Sequence, residues 1–416
     1  MQRLFWMLGL LFFYNINGAS AQYLSLKEAL QRAKTQNPVL GTEIYQIKTA
    51  AADSMTATLR PNPSFHNETI QLAQSKNFTP NTSWSNPLNR QVLFTLTKPF
   101  QLAGQRQKKI DLAKEQIDLS TKNYHETERE VLAEVASKWM DVYTAHKQLD
   151  ILKIAKSNID SLSEINIVRI KNQVITQTDF MRTQLLANEY GLKVKSAEQE
   201  LNNRLMELKY LTGSNFSDIA ASDQFALAEN LERDSLLQQA LANRSDIRAA
   251  QSLINVSNKN IALQHSLAVP VPEFGFMWNP QNTIQYVGFA LTFDLPVFSR
   301  NQGEIKKAHI LKDQSEQQYA AIRGKAQTEL MTAYASYQTQ KQNTHKFTNG
   351  LLEQSAHILA NVKYAYLRGG TTLIDFLEAQ RSWLETQQQY YDALQLYRQS
   401  YIQLLYASGL INQLAE

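Results

Sequence analysis

Apolar positions along this chain repeat with two periods, and the switches between them mark its elements. Leu26, Ala29, Leu30 and Ala33 fall three or four apart, which predicts an amphipathic helix within 26–59. Asn37-Pro38 interrupts it, because proline lacks an amide donor and disfavours helix in the residue before it. The helix stops before Pro61-Asn62-Pro63. Phe65, Asn67 and Thr69 then predict a strand. A second strand follows where Val92, Phe94 and Leu96 alternate with Leu93, Thr95 and Thr97, up to Pro99 and Gly104. Between the two strands, residues 73–90 are rich in Ser, Asn, Thr and Pro and read as a polar loop. From Gln105 to Ile170 there is no Gly and no Pro, so one helix there would reach roughly 100 Å. Beyond it Phe180, Ala187, Val194, Leu201 and Leu208 recur every seventh residue, with Leu185, Leu192 and Met206 on a neighbouring row. This is coiled-coil spacing. Gly213 ends that helix, and 214–232 reads as a linker.

The same order then returns. ALANRSDI at 240–247 answers AKTQNPVL at 33–40, and Pro270 to Phe274 answers Pro61 to Phe65. Phe274, Phe276 and Trp278 alternate on one predicted strand, and Asn279-Pro280 is expected to start a short turn. Val287, Phe289, Leu291 and Phe293 alternate on the next, and Pro296 answers Pro99. Gly303 opens a second rod to about Leu367, expected to break at Gly324 and Gly350. The last helix carries two adjacent heptad rows, Phe376, Trp383, Tyr390, Tyr397, Leu404 and Leu377, Leu384, Tyr391, Leu405. Adjacent rows imply a helix gripped on a broad face. Their aromatic residues read as seam packing rather than a ligand box. The chain thus divides into a first repeat at 22–213, a linker at 214–232 and a second repeat at 233–416. Each repeat is helix, strand, loop, strand, long helix, turn, long helix.

The most informative stretch is YLRGGTTLIDFLEAQ, Tyr366 to Gln380. Gly369 and Gly370 permit a positive φ, and Thr371 or Thr372 can cap the following helix. Asp375 and Glu378 then share a face one turn apart. A paler copy spans Lys171 to Gln184, where Thr176, Asp179, Phe180 and Gln184 take the places of Thr372, Asp375, Phe376 and Gln380. Gln173 stands in the first turn, where the second has glycine.

Composition narrows the reading. The chain has 416 residues, a formal net charge of only +4 with mixed signs, 14 Gly and 10 Pro, which suits long helices and gives no sign of a nucleic-acid partner. Mean hydropathy is −0.38, so it is not a bundle of membrane-spanning helices. No Cys means no disulfide, thiolate nucleophile, Cys metal site or lipid-anchor cysteine. Arg3, the apolar run Leu4 to Phe13 and Ala19-Ser20-Ala21 make residues 1–21 a secretory signal peptide; an uncleaved anchor is the alternative, but the run is short for a membrane span. The seven histidines, His66, His125, His146, His265, His309, His345 and His357, form no zinc-enzyme motif, so no metal site or cofactor is expected. Asp375 and Glu378 on one turn of a rod lack the cleft a catalytic carboxylate pair needs, so no catalytic residue is expected. Two solvated charges at a helix start are the bland reading of that pair. Four strands cannot close a membrane barrel, and open edges cannot face lipid, so strands in a membrane would have to be shared among several chains. Two hairpins packed on the helices in water are the alternative.

Leader, two-fold repeat, two hairpins, four rods and the Gly-x-x-Thr-x-x-Asp turn together resemble the TolC family of outer-membrane efflux proteins, over nearly all of Gln22 to Ala415. The Gly369 to Gln380 stretch is the most specific match. Pro61-Asn62-Pro63 resembles the heavy-metal cation branch. The resemblance implies an α+β membrane protein. It would be a homotrimer with a shared twelve-stranded β-barrel in outer-membrane lipid, four strands per chain, continued by a long α-helical coiled-coil barrel through the periplasm. It implies a periplasmic adaptor and an inner-membrane pump of the resistance-nodulation-division type as partners, and a passive conduit for metal cations or drugs. Asp375 and Glu378 match the acidic ring of the narrow pore mouth. Arg368, just before the turn, is expected to pair there with a neighbouring chain. Gln173, Thr176, Gly369, Gly370 and Thr372 would form the tips that meet the adaptor. The family's frequent lipid-anchor cysteine is missing. A soluble periplasmic coiled-coil adaptor or a structural rod are the other readings, but an adaptor needs one helical hairpin, not two.

Overall fold

The computed structural model describes residues 23–220, 231–281 and 284–416. The expected leader and residues 221–230 of the expected linker lie outside the described residues. Helix α1 (Leu26–Gln36) begins with a reciprocal cap: Ser25 Oγ accepts from the Glu28 amide at 3.2 Å, and the Glu28 carboxylate accepts from the Ser25 N–H at 3.1 Å. Helix α2 (Pro38–Thr58) starts at once behind it, with Pro38 in its first turn. Asn37 joins the two and is 2% exposed. Its Oδ1 accepts from the Val39 and Leu40 amides, and its Nδ2 donates to the Leu211 carbonyl at 2.7 Å. The Asn-Pro break is thus fastened to the end of α4 (Gln177–Thr212), far along the chain.

A comparable joint lies in the second half. Arg244 separates α5 (Arg233–Asn243) from α6 (Ser245–Leu267), at the place that the match of 240–247 with 33–40 gives to Asn37. Its guanidinium donates to the Ala407 carbonyl at 3.0 Å, near the end of α9 (Leu373–Ser408). Arg244 also pairs with Asp246 and Glu329, each at 2.7 Å. Beside it Arg129 bonds Glu126 and the Tyr406 carbonyl, and its guanidinium lies 3.9 Å from the centre of the Tyr406 ring. Both arginines are buried. In the last turn of α9 the Ala407 carbonyl thus ends on Arg244, and the Tyr406 carbonyl accepts from Arg129 as well as from the Gly409 amide.

The rods are long. Helix α3 (Gln105–Lys171) has 67 residues, about 100 Å at 1.5 Å per residue. The second rod is α7 (Gln302–Lys346) followed by α8 (Leu352–Leu367). Gly324 does not break it, contrary to expectation, and helix runs through; the break is at 347–351, where Gly350 has φ +124°. Phe376, Trp383, Leu384, Tyr397, Leu404 and Leu405 of α9 are buried, so the two heptad rows do form a broad seam. On α4, Val194, Leu201 and Leu208 are buried, while Leu185, Leu192 and Met206 are 65–71% exposed. The described residues leave that second row largely uncovered. The core is thickest where α1, α3, α4 and α9 meet, at Leu30, Leu132, Ala136, Met140, Leu208 and Ile402. There Trp139 Nε1 donates to the Leu24 carbonyl at 3.0 Å. Within the expected linker, β4 (Asp218–Ile219) pairs in parallel with β1 (Tyr23–Leu24), a contact no local pattern announced.

The other strands are β2 (Ser64–Gln71), β3 (Arg90–Pro99), β5 (Glu273–Gln281) and β6 (Ile284–Thr292), in one antiparallel sheet of order β2-β3-β5-β6. Asn279-Pro280 does not start a turn: both residues stay in β5, with Pro280 opposite Gln285. The register settles which residues share a face, because directly opposed residues point the same way. Phe65 faces Leu96, Leu96 faces Phe276, Phe94 faces Trp278, and Phe276 and Trp278 face Phe289 and Val287. That face is mostly apolar, with Asn67, Thr69 and Lys98 set among its aromatic and aliphatic residues. The opposite face is mixed: it carries His66, Glu68, Thr95, Thr97, Gly275, Asn279 and Gly288 together with Ile70, Leu93, Met277 and Tyr286.

Candidate functional site

Two features invite a function, the apolar sheet face and the pair of turns at the far ends of the rods. The turns are built alike. In the first, Asn172 closes α3 and Gln173 takes φ +57°; the Val174 amide donates to the Arg169 carbonyl at 2.9 Å. In the second, Arg368 closes α8 and Gly369 takes φ +76°; the Gly370 amide donates to the Ala365 carbonyl at 2.9 Å. Both are left-handed helix terminations with the long closing bond of the Schellman type. Gln173 occupies the left-handed position without being glycine, at some cost from its Cβ. Gln173→Gly is expected to stabilise the first turn by up to about 1 kcal/mol, and Gly369→Gln to destabilise the second by a similar amount. Amide hydrogen exchange at 168–176 and 365–373 reads both. Equal exchange in all variants would mean that the turns carry no backbone strain.

After each turn a threonine caps the next helix. Thr176 Oγ1 accepts from the Asp179 amide at 3.1 Å and donates to the Asp179 carboxylate at 2.8 Å. Thr372, rather than Thr371, is the cap of α9, and its Oγ1 accepts from the Asp375 amide at 3.2 Å. The Asp375 carboxylate turns back to accept from the hydroxyls of Thr372 (2.6 Å) and Thr371 (2.7 Å) and from the Thr372 N–H (3.0 Å). These bonds, the Thr372 hydroxyl foremost, hold its pKa below the usual carboxylate range. Glu378 is exposed and forms a two-pronged pair with Arg381, at 2.8 and 3.1 Å, which lowers its pKa too. Arg381 was missed in the sequence, although a basic residue three positions after an acid on a helix is a readable signal. Arg368 lies over the Tyr364 ring, 4.2 Å from its centre.

The two turns sit side by side. Arg169 donates to the Leu367 carbonyl at 2.9 Å and stacks on Tyr366. The Tyr366 hydroxyl donates to Asn166 at 3.0 Å, and Asn166 donates to Thr183 at 2.9 Å. Asn166 and Thr183 are fully buried, so α3, α4 and α8 are joined by polar groups inside the seam. Gln173, Thr176, Gly369, Gly370 and Thr372 are thereby gathered at one end of the molecule, opposite the sheet. Just behind them, Arg182, Leu186, Tyr190, Ile374 and Leu377 line an open groove between α4 and α9. No helix among the described residues is long and apolar enough to cross a membrane.

Residues 236–410, which span α5 to the end of α9, match the family model described as outer membrane efflux protein. The chain carries an outer membrane efflux protein domain. It is also 22% identical over 383 residues to the cobalt-zinc-cadmium resistance protein CzcC of Cupriavidus metallidurans, across 89% of this chain and 86% of CzcC. Among solved structures it resembles the outer membrane channel CmeC of Campylobacter jejuni, with TM-score 0.77 and 17% identity over 92% of this chain and 85% of CmeC. It resembles CusC similarly, with TM-score 0.74 and 17% identity over 92% of this chain and 91% of CusC. The chain is an efflux channel component of the outer membrane, with a helical periplasmic portion. The outer membrane efflux protein family that residues 236–410 match works in tripartite systems with adaptor and pump partners, and the structural neighbours are channels rather than enzymes.

Proposed function

We propose that three copies of this chain build one passive conduit, in which each contributes four strands to a twelve-stranded barrel and four rods to a helical barrel in the periplasm. The observation that supports this reading is the sheet: one face is mostly apolar across four strands, and its outer strands β2 and β6 have no further neighbour among the described residues. An open edge in lipid is untenable, so another chain's edge must complete it. The exposed row Leu185, Leu192 and Met206 on α4 gives such a neighbour an apolar surface to pack on. The division into a first repeat at 22–213, a connection at 214–232 and a second repeat at 233–416 is kept, and the comparable joints at Asn37 and Arg244 support the repeat. The turn tips and the groove between α4 and α9 are the docking place for the helices of a periplasmic adaptor, with a pump of the resistance-nodulation-division type beyond it. CzcC is a cobalt-zinc-cadmium resistance protein, and divalent metal cations are the cargo class carried over from it, ahead of drugs.

Asp375 and Glu378 are assigned to the narrow mouth, with Arg368 as the residue reaching a neighbouring chain. The bonds they make within the chain refine this. Asp375 is bound into the cap, and Glu378 is partly offset by Arg381. In a planar bilayer, Asp375→Asn with Glu378→Gln is expected to lower cation selectivity and weaken block by multivalent cations, and Arg381→Gln to raise both. Unchanged selectivity in the double variant would remove these acids from the pore. A purified chain that never inserts and stays monomeric would end the channel reading.

A further inference from the structure

The segment joining β6 to α7, residues 293–301, is a rigid knuckle that presents its apolar side chains outward. Phe298 is 93% exposed, and Leu295, Val297 and Phe293 are exposed beside it. The backbone under them is held by its own polar groups. Arg300 Nε donates to the Pro296 carbonyl at 3.0 Å, and Gln302 Nε2 donates to the Phe298 carbonyl at 3.1 Å. The Arg300 amide donates to Gln302 Oε1 at 2.6 Å. Asn301, at φ +59°, donates through Nδ2 to Gln264 on α6 at 2.8 Å. These bonds hold the backbone in the arrangement that leaves Leu295, Val297 and Phe298 exposed. Across the base of the sheet, the segment between β3 and α3 exposes Phe100 and Leu102, and the Phe100 amide is tied to the Pro272 carbonyl at 2.8 Å. Both segments lie where strands become helices, directly below the apolar field of Phe274, Phe289 and Leu291.

We propose that Leu295, Val297 and Phe298 insert into the phospholipid leaflet on the periplasmic side of the outer membrane, with Arg300 at headgroup level. The inference rests on the barrel reading above. Its occupant follows from continuity, because the alternation of Val287, Phe289 and Leu291 on the strand face carries on through exposed Phe293 and Leu295 to Val297, with Asp294 between them the one acidic side chain. Aromatic and aliphatic tips backed by a cation are the composition of a membrane–water interface. The collar would fix the depth and tilt of the barrel in a chain that has no cysteine for a lipid anchor.

The same lack of cysteine allows a direct test. Single-cysteine variants Leu295→Cys, Val297→Cys and Phe298→Cys carry a nitroxide label in the reconstituted full-length protein. Phe289→Cys serves as the strand-face reference and Lys122→Cys as the aqueous one. Collision rates with oxygen, which partitions into lipid, and with a water-soluble nickel chelate are measured by power saturation. The oxygen-to-nickel ratio at 295, 297 and 298 is expected to rise several-fold over that at 122 and to approach that at 289. A nickel-accessible label at 298 places the knuckle in water and overturns the proposal. A label shielded from both reagents places it against a neighbouring subunit and overturns it as well. If position 289 is also nickel-accessible, the barrel reading itself fails, which separates the two failures.

Discussion

Arg244→Ala is expected to destabilise the protein by about 3–5 kcal/mol, the range for removing one partner of a buried ion pair. The guanidinium is 1% exposed as a residue and serves three acceptors at once: Asp246, Glu329 and the Ala407 carbonyl. Alanine would leave two carboxylates without their shared cation and an end carbonyl of α9 without a donor. Arg244→Lys keeps the charge but not the planar fork, and is expected to recover only part of the loss. The pH dependence has a definite sign. Burial disfavours the Asp246 carboxylate, but the Arg244 guanidinium, helped by Arg129 and the Ile247 amide, outweighs it and holds its pKa below the usual value. A carboxyl lowered in the folded state stabilises above its unfolded pKa of about 3.9, and that contribution is lost as pH falls through the lowered value. The gap between wild type and Arg244→Ala should therefore be widest near neutrality and narrow below about pH 4. Thermal unfolding of the detergent-solubilised protein at both pH values measures it. A gap independent of pH would show that the charge on Asp246 is not what Arg244 holds.

Gly213→Ala should cost about 3 kcal/mol or more, of which roughly 1–2 kcal/mol is the left-handed backbone itself. Gly213 has φ +62°, and a Cβ there would stand 2.0 Å from the Gln36 carbonyl oxygen and 2.7 Å from its carbon. The obstacle is backbone, not a side chain that can swing aside. To make room, α1 must draw away from α4, which pulls on the Asn37 bond to Leu211. Gly409 is the control. It has φ +75°, but its added Cβ would meet the Arg244 side chain at 3.3 Å, which is tight rather than impossible. Gly409→Ala should therefore cost little beyond the backbone share, about 1–2 kcal/mol. Midpoints of thermal unfolding for the two variants decide it. Equal losses would mean that close approach at Gln36 adds nothing.

What the sequence determined by itself was local. Helix extents followed from runs without Gly or Pro, the α1–α2 break from Asn37-Pro38, and the strand faces from alternation at 92–97 and 274–278. The second turn followed from Gly369 and Thr372. Each depends on φ, on a missing amide or on a period of 2, 3.6 or 7, and all of these act within a few residues. Gly324 and Asn279-Pro280 mark the limit of such reasoning. A long helix bears one exposed glycine, and a proline at a strand end survives where its missing donor is not needed. The tertiary structure decided everything that pairs distant segments. It brought Asn37 to Leu211, Arg244 to Ala407 and β1 to β4, and it set the register that gathers Phe65, Phe94, Trp278 and Phe289 on one face. It also separated the α4 rows, burying Val194 and Leu201 while leaving Leu185 and Leu192 bare, though both rows have the same period. At the tips it spent Asp375 on a cap and Glu378 on Arg381. A heptad states that a helix has a stripe, and a carboxylate states that it has a charge; which partner satisfies either is fixed only when the chain brings one within reach.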